Sequence, residues 1–489
     1  MPSLAQSRED LQVNVFLVQP PDTPVDVEPL DSAGGSLDLF SPPWSLMCLQ
    51  AFLQKHTRHI CHFIDCRLFA DLETELVARL EQLSPPRILV IHCPILALGQ
   101  VAAVLEITKR HFPTMRTVLC GEYPSAFPDH VSEIPRADFA LAGDPEPILR
   151  NLLDYIDVEQ RLRRTPGLIM QGSLKTEPYW VPRLAGLALP DWKDIFWNEY
   201  TNDLYARSCR AEVRLTRGHS RTDGDRAFGG AGSPLRHWPM DRFAALVSRC
   251  SHTEIKEVVL TDSPGFWTRE RLDQWIKELL YIRNQQPWSL TIAPMALDDD
   301  LVADLRESRC FRVEVVFPSC DRSALGAYGI KLDWRELSRT FQALTAKGIR
   351  VYPRYWIGSP EESSGEEERI IQAIRRFSLS DYRVEPFPFT IDSPLYEEQM
   401  DRGRAPLLDE WIKWSRDPWI MERPVPLWGG RESMERLEKH MKAIHKAIQR
   451  SPALLWARVR HACRSTNWIE TLEDKAIAFL QRNRKPFQP

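Results

Sequence analysis

The polar residues between Val213 and Arg226 are where this chain has the side chains for chemistry. They read V-R-L-T-R-G-H-S-R-T-D-G-D-R. His219, Asp223 and Asp225 bring together an imidazole and two carboxylates, a nitrogen–oxygen donor set of the kind that holds zinc, manganese or ferrous iron. The same residues also read as a solvated turn, because Asp223-Gly224-Asp225 satisfies turn chemistry by itself. Arg221 and Arg226 would put positive charge beside any cation. The stretch that follows, Gly229-Gly230-Ala231-Gly232, has neither Walker nor dinucleotide spacing. No G-x-S-x-G elbow occurs. The closest cysteines are Cys61 and Cys66, so no C-x-x-C ligand set is present. Apolar neighbours, as in Met47-Cys48-Leu49, make the cysteines read as small buried hydrophobes in a reducing compartment.

These residues need a scaffold, and the chain supplies two. Continuous apolar runs at Val13–Val18, Ile60–Ile64, Ile88–Ile91, Arg116–Leu119 and Phe139–Leu141 read as buried parallel strands. Helical patterns separate them at Trp44–Lys55, Leu72–Leu83, Val101–Phe112 and Glu146–Tyr155. Strand–helix alternation over residues 1–160 predicts a doubly wound, Rossmann-like α/β domain, whose ligands sit at the carboxyl ends of the strands. Those ends include Gly121-Glu122 and Gly143-Asp144-Pro145-Glu146. Residues 161–205 read as a basic linker with a small hairpin before Trp180. Six further strands follow within 206–400, at Val213–Leu215, Glu257–Leu260, Ser289–Ile292, Arg312–Phe317, Ile349–Trp356 and Tyr382–Phe387. The helices between them predict a partial (β/α)6 TIM-like barrel, open on one side. Residues 401–489 predict a helical C-terminal extension. Trp411, Trp414, Trp419 and Trp428 precede an amphipathic helix, Ser433–Gln449, with Leu437, Met441, Ile444 and Ile448 on one face. A basic tail follows.

The formal charge of −4 over 489 residues gives no global case for nucleic acid or membrane. No apolar run approaches the roughly 20 residues a membrane span needs. The first residues carry no signal-peptide core, so the expected location is cytoplasmic.

Across residues 13–400 the chain resembles the radical S-adenosylmethionine proteins that carry a cobalamin-binding domain. Thr216-Arg217-Gly218 matches the lead-in of that family's cluster loop, T-S-R-G-C-x-x-x-C-x-x-C. His219, Asp223 and Arg226 stand at the three cysteine positions. Pro20-Pro21, Pro42-Pro43 and Leu189-Pro190-Asp191-Trp192 match other landmarks. Leu260-Thr261-Asp262 matches the apolar–Asp end of the second barrel strand, and Gly358-Ser359-Pro360-Glu361-Glu362-Ser363 matches Gly-x-Pro-x-Glu-Thr/Ser after the fifth. The resemblance implies cofactor-binding roles for Gly121, Glu122, Gly143, Glu146, Thr216, Arg217, Gly218, Asp262, Gly358 and Glu362. It implies cobalamin or S-adenosylmethionine as cofactors. The departures imply losses. Without three thiolates the four-iron cluster is not expected. Glu122 replaces a glycine at the approach of the cobalamin tail, and no D-x-H-x-x-G offers a ligand histidine, so cobalamin binding is expected to be weak or absent. Pro318 stands where the family has a glutamate. The expected role is therefore a pseudoenzyme-like one, in binding or assembly with a protein partner or a second copy through the C-terminal region. The competing expectation is an enzyme that still uses S-adenosylmethionine or cobalamin for methyl transfer. A third is a cluster held by other cysteines, such as Cys209 and Cys250.

Overall fold

The structure is a computed structural model. It describes residues 12–21, 41–94, 97–170, 177–190, 209–218, 233–377, 382–387, 394–403 and 430–449, together with 192, 195 and 197–200. The first sheet alternates strand and helix as the apolar pattern predicts: β1 (Asn14–Gln19), α1 (Trp44–His56), β2 (Ile60–Asp65), α2 (Leu72–Glu81), β3 (Arg87–His92), α3 (Leu98–His111), β4 (Arg116–Cys120), the short α4 (Glu122–Ala126), β5 (Phe139–Leu141), α5 (Pro145–Asp154) and α6 (Glu159–Leu162). Its order is β2-β1-β3-β4-β5-β6, parallel except for β6 (Leu168–Met170). Alternate residues of β1 and β3 point to opposite faces. Val15, Leu17, Ile88 and Val90 pack toward α1 and α5, while Phe16, Val18, Leu89 and Ile91 pack toward α2 and α3. Residues 168–170, expected in a separate hairpin, instead extend this sheet antiparallel to β5.

The second sheet runs through β7 (Arg210–Val213), α7 (Met240–Arg249), β10 (Glu257–Leu260), α8 (Arg269–Tyr281), β11 (Trp288–Ile292), α9 (Asp299–Glu307), β12 (Cys310–Phe317), α10 (Arg322–Ala327), α11 (Trp334–Ala346), β13 (Arg350–Ile357), α12 (Glu366–Phe377) and β14 (Arg383–Pro386). All six strands are parallel, in the sequential order β14-β13-β12-β11-β10-β7. This is the expected half-barrel. Between β7 and α7, two short strands, β8 (Thr216–Arg217) and β9 (Arg236–His237), pair antiparallel and pin the two ends of the intervening loop. Among the described residues no helix is long and apolar enough to cross a membrane.

One continuous core joins the two units. Trp44 of α1 meets Phe243 of α7 with ring centroids 5.9 Å apart, Phe243 meets Trp275 at 5.9 Å, and Trp275 meets Trp288 at 6.0 Å. Trp192 and Trp197 extend this path, at 5.9 Å from Trp44 and 5.5 Å from each other. Aromatic pairs at such separations add to simple burial, so the linker tryptophans act as core. After α13 (Pro394–Asp401), helix α14 (Gly430–Gln449) packs on α12 and β14. Its Leu437, Met441, Ile444 and Ile448 are all buried, which stabilises by about 1.5–3 kcal/mol for each side chain removed from water. The four tryptophans between 411 and 428 and the basic tail beyond 450 lie outside the described residues.

Candidate functional site

The carboxyl ends of both sheets face each other across a cavity of about 830 Å³. The first sheet contributes Gln19, His92, Gly121, Glu122 and Gly143, and the half-barrel contributes Thr261, Asp262, Thr291, Glu314 and Arg354. Gly218 and Ser233, at either end of the loop between β8 and β9, also line it. Of the residues the sequence singles out, Gly121, Glu122, Gly143, Thr216, Arg217, Gly218 and Asp262 reach this cavity. Glu146 stands directly behind Arg217. Gly358 and Glu362 do not line the cavity. The Gly358 N–H donates to the Glu362 carboxylate, and Leu437 of α14 sits against Gly358. His219, Asp223 and Asp225 lie outside the described residues.

Two arginines tie the loop of the half-barrel to the first sheet. Arg217 grips the fully buried Glu146 with both terminal nitrogens, Nη2 to Oε1 at 2.5 Å and Nη1 to Oε2 at 2.9 Å, and reaches Asp144 Oδ1 at 3.2 Å. Burial opposes the charge on Arg217, but Glu146 more than offsets it, so the guanidinium pKa rises well above its usual value. Arg236 pairs with the other oxygen of Asp144, donates to the Val181 carbonyl at 2.9 Å, and lies over the Trp180 ring. The resemblance implies a cofactor role for Glu146. In the structure its carboxylate is held by the chain itself.

The glycine turns above β4 and β5 are bound together by Ser125, whose hydroxyl donates to the Gly121 carbonyl at 2.7 Å and accepts from the Gly143 N–H at 3.0 Å. Gly143 has φ +108°, and Tyr179 hydrogen-bonds on both sides of it. A Cβ there would stand 2.0 Å from the Tyr179 carbonyl oxygen. The bare backbone at Gly143 therefore accommodates another segment of this chain. At Gly121, with φ +110°, a Cβ would meet the imidazole of His92 at 2.7 Å.

The floor of the half-barrel carries a feature that sequence reasoning missed. Its concave face holds a ladder of alternating charges. Arg210 Nε lies 3.0 Å from Glu257, Arg312 Nη2 2.6 Å from Glu257, and Arg312 Nε 3.6 Å from Glu314. Arg354 then bridges Glu314 at 3.5 Å and Glu385 at 2.7 Å, and Arg383 Nε closes the row 3.1 Å from Glu385. The signal was present as a repeated strand motif: Arg-Ala-Glu-Val at 210–213, Arg-Val-Glu-Val at 312–315 and Arg-Val-Glu-Pro at 383–386. Period-two spacing puts both charges of each motif on one face of the sheet. Such mutual neutralisation is what lets charges persist where water is scarce.

Some polar atoms of the residues lining the cavity make no hydrogen bond, Trp44 Nε1 among them. Asp262 Oδ1 accepts from the Thr216 amide and hydroxyl, each at 2.7 Å, whereas its buried Oδ2 has no partner. Burial raises the Asp262 pKa, and the Thr216 hydrogen bonds only partly oppose this. An orphaned buried oxygen of this kind invites a ligand N–H or a cationic group. S-adenosylmethionine, which carries such groups, fits the chemistry of Asp262. His92 also lines the cavity, and its Nδ1 lies 3.0 Å from Gln19 Oε1. Burial lowers the His92 pKa against the opposing effect of Glu122. Cys209 and Cys250 are both buried, with thiol pKa values raised first of all by burial, to about 12 for Cys250. Such thiols are poor ligands. Among the described residues no three His, Cys, Asp or Glu side chains are grouped to hold a metal.

No protein-family model and no curated protein matches the sequence. Solved structures do. The fold is that of the cobalamin-dependent radical S-adenosylmethionine enzymes. One match is TsrM from Kitasatospora setae, a radical S-adenosylmethionine methyltransferase solved with its tryptophan substrate and an S-adenosylmethionine analog. It is 15% identical with a TM-score of 0.60, over 80% of this chain and 76% of that one. The same enzyme with cobalamin and a [4Fe-4S] cluster bound matches with the same TM-score. OxsB, a cobalamin-dependent S-adenosylmethionine radical enzyme solved with aqua-cobalamin, is also 15% identical, with a TM-score of 0.57 over 82% of this chain and 56% of its own. At this identity the likeness is one of fold.

Proposed function

We propose that this protein keeps the ligand cleft of the cobalamin-dependent radical S-adenosylmethionine fold, forms no four-iron cluster, and works by binding or assembly with a partner. One observation carries the reading. The loop between Gly218 and Ser233, whose ends line the cavity, contains no cysteine, and the third position where the resemblance places a thiolate holds Arg226. A guanidinium has no lone pair to give a metal. The cavity is nevertheless kept, and Asp262, one of its lining residues, carries a buried oxygen without a hydrogen-bond partner. A second reading, polar methyl transfer in the same cleft, is supported by His92, a cavity-lining imidazole that can accept a proton from a bound substrate. In that second reading S-adenosylmethionine, when bound, would supply an electrophilic methyl group, and this chain's residues would bind and orient it.

The test is anaerobic reconstitution with iron and sulfide, followed by iron analysis, beside calorimetry with S-adenosylmethionine. The expected result is iron far below one cluster per chain, with S-adenosylmethionine binding weakened about ten-fold or more by Asp262→Ala, the loss of one hydrogen bond to a charged group. A full cluster in each chain overturns the proposal.

The partner contact is assigned to the basic stretch after α14; from Met441, within that helix, to Trp468 there is no Asp or Glu. Long-range attraction to an acidic surface weakens as salt screens it. Self-association or partner capture by the full-length chain is therefore expected to fall with salt, and with Arg458→Glu combined with Arg460→Glu. A monomer that captures no partner at low salt removes this part of the proposal.

A further inference from the structure

The geometry points to the floor of the half-barrel as a binding site for a neutral cyclic amide, a lactam or a nucleobase of the uracil or hypoxanthine type. Glu314 and Arg354 are the groups that read it. Both line the cavity, and Glu314 is only 6% exposed. Its Oε2 lies 3.5 Å from Arg354 Nη1 and its Oε1 3.6 Å from Arg312 Nε. Charge-assisted hydrogen bonds run at about 2.7–2.9 Å, so neither arginine satisfies this carboxylate. Both are drawn the other way. Arg312 Nη2 lies 2.6 Å from Glu257, and Glu385 takes Arg354 Nε at 2.9 Å and Nη2 at 2.7 Å. Glu385 is itself fixed by the Trp356 indole N–H at 2.9 Å. A carboxylate and a guanidinium N–H are thus held side by side, too far apart to satisfy each other.

Charge and shape together select the ligand. Glu314 stands between two guanidinium groups, and Arg354 between two carboxylates. A ligand charge of either sign therefore gains from one neighbour and loses to the next at similar range. A neutral group that offers an N–H to Glu314 and a C=O to Arg354 gains from both, and each bond is charge-assisted. An open-chain amide cannot do this, because its trans geometry sends N–H and C=O to opposite sides. A ring holds the amide cis and puts both on one edge, with nitrogen and oxygen about 2.2 Å apart by standard bond lengths. Partners 3.5 Å apart can meet that edge with two nearly parallel hydrogen bonds. The surroundings suit a flat ring. Tyr352, Arg354 and Trp356 alternate along β13 and all line the cavity, so aromatic side chains flank the guanidinium. Thr291, in register with Glu314 on β11, also lines the cavity and adds a hydroxyl beside the carboxylate.

The inference rests on the cleft reading above, and the experiment keeps the two apart. Calorimetry measures binding of uridine and inosine to the full-length protein. Beside them run 3-methyluridine and 1-methylinosine, in which a methyl group replaces the amide hydrogen. At least one parent nucleoside is expected to bind with a Kd below about 1 mM. Its methylated analogue is expected to bind about ten-fold or more weaker, the loss of a hydrogen bond to a charged group. Glu314→Gln, of the same shape, is expected to weaken the parent by a similar factor and to leave the analogue unchanged. Arg312 and Arg354 keep Glu257 and Glu385 as partners in that variant. Should Glu314→Gln fail to fold, the comparison of parent and analogue on the native chain decides alone. No binding of either parent, equal affinity for parent and analogue, or indifference to Glu314→Gln in a folded protein overturns the proposal. Adenosine that binds as tightly as inosine, with the same loss in Glu314→Gln, also overturns it, because adenine has no cyclic amide. A full four-iron cluster overturns the cleft reading and leaves the nucleoside result standing.

Discussion

Gly143→Ala is expected to destabilise the protein by about 2–6 kcal/mol, the combined cost of a non-glycine residue at positive φ and of an overpacked contact. The added methyl carbon would stand 2.0 Å from the Tyr179 carbonyl oxygen and 2.6 Å from the Tyr179 amide nitrogen. Neither can retreat cheaply, because the Tyr179 N–H donates to Ala142 and its carbonyl accepts from Asp144. Relief would break both bonds and loosen Asp144, the residue that both Arg217 and Arg236 hold. Urea unfolding, with size-exclusion chromatography to detect aggregation, measures the loss. Gly186→Ala is the matched control. Nothing lies within 4 Å of a Cβ at Gly186, so its change is expected within about 0.5 kcal/mol. Equal stability of the two variants would show that the Tyr179 segment does not seat on Gly143.

Arg217→Met is expected to cost about 3–5 kcal/mol, because it leaves the fully buried Glu146 carboxylate without its counter-charge. Glu146→Leu in the same background is expected to recover most of that loss, since an apolar pair of similar size removes the charges together. The double-mutant cycle also decides what Arg217 is for. If the ion pair is a clamp between the two units, Arg217→Met lowers stability and the double variant restores it. If Arg217 instead serves a cofactor, as the resemblance implies, stability changes by less than about 1 kcal/mol while S-adenosylmethionine affinity falls. The second outcome would return Glu146 to the list of ligand-binding residues.

Much of the scaffold was legible from local pattern. Both ends of β10 and α8 fall where the sequence reading puts them, at Glu257–Leu260 and Arg269–Tyr281. Strand and helix periodicity depends only on near neighbours in the chain, and each element buries the face that its own residues define. The missed elements are short. β8 and β9 contribute two residues each, too few for any period to show, and exist because two distant stretches meet. β6 likewise joins the first sheet because β5 offers it an open edge.

The site divides along the same line. Residue type by itself determined that the loop after β7 offers no thiolate, that glycines punctuate the ends of β4 and β5, and that Asp262 closes the second strand of the half-barrel. Only the tertiary structure decided what those residues face. Arg217 and Glu146 are 71 positions apart and yet pair, Gly143 meets the Tyr179 backbone, and His92 is brought to the cavity beside Gln19. The reason is physical. Conformational preference is set by adjacent residues, but the partner of a buried charge or a lone pair is set by which strand ends the two sheets bring together.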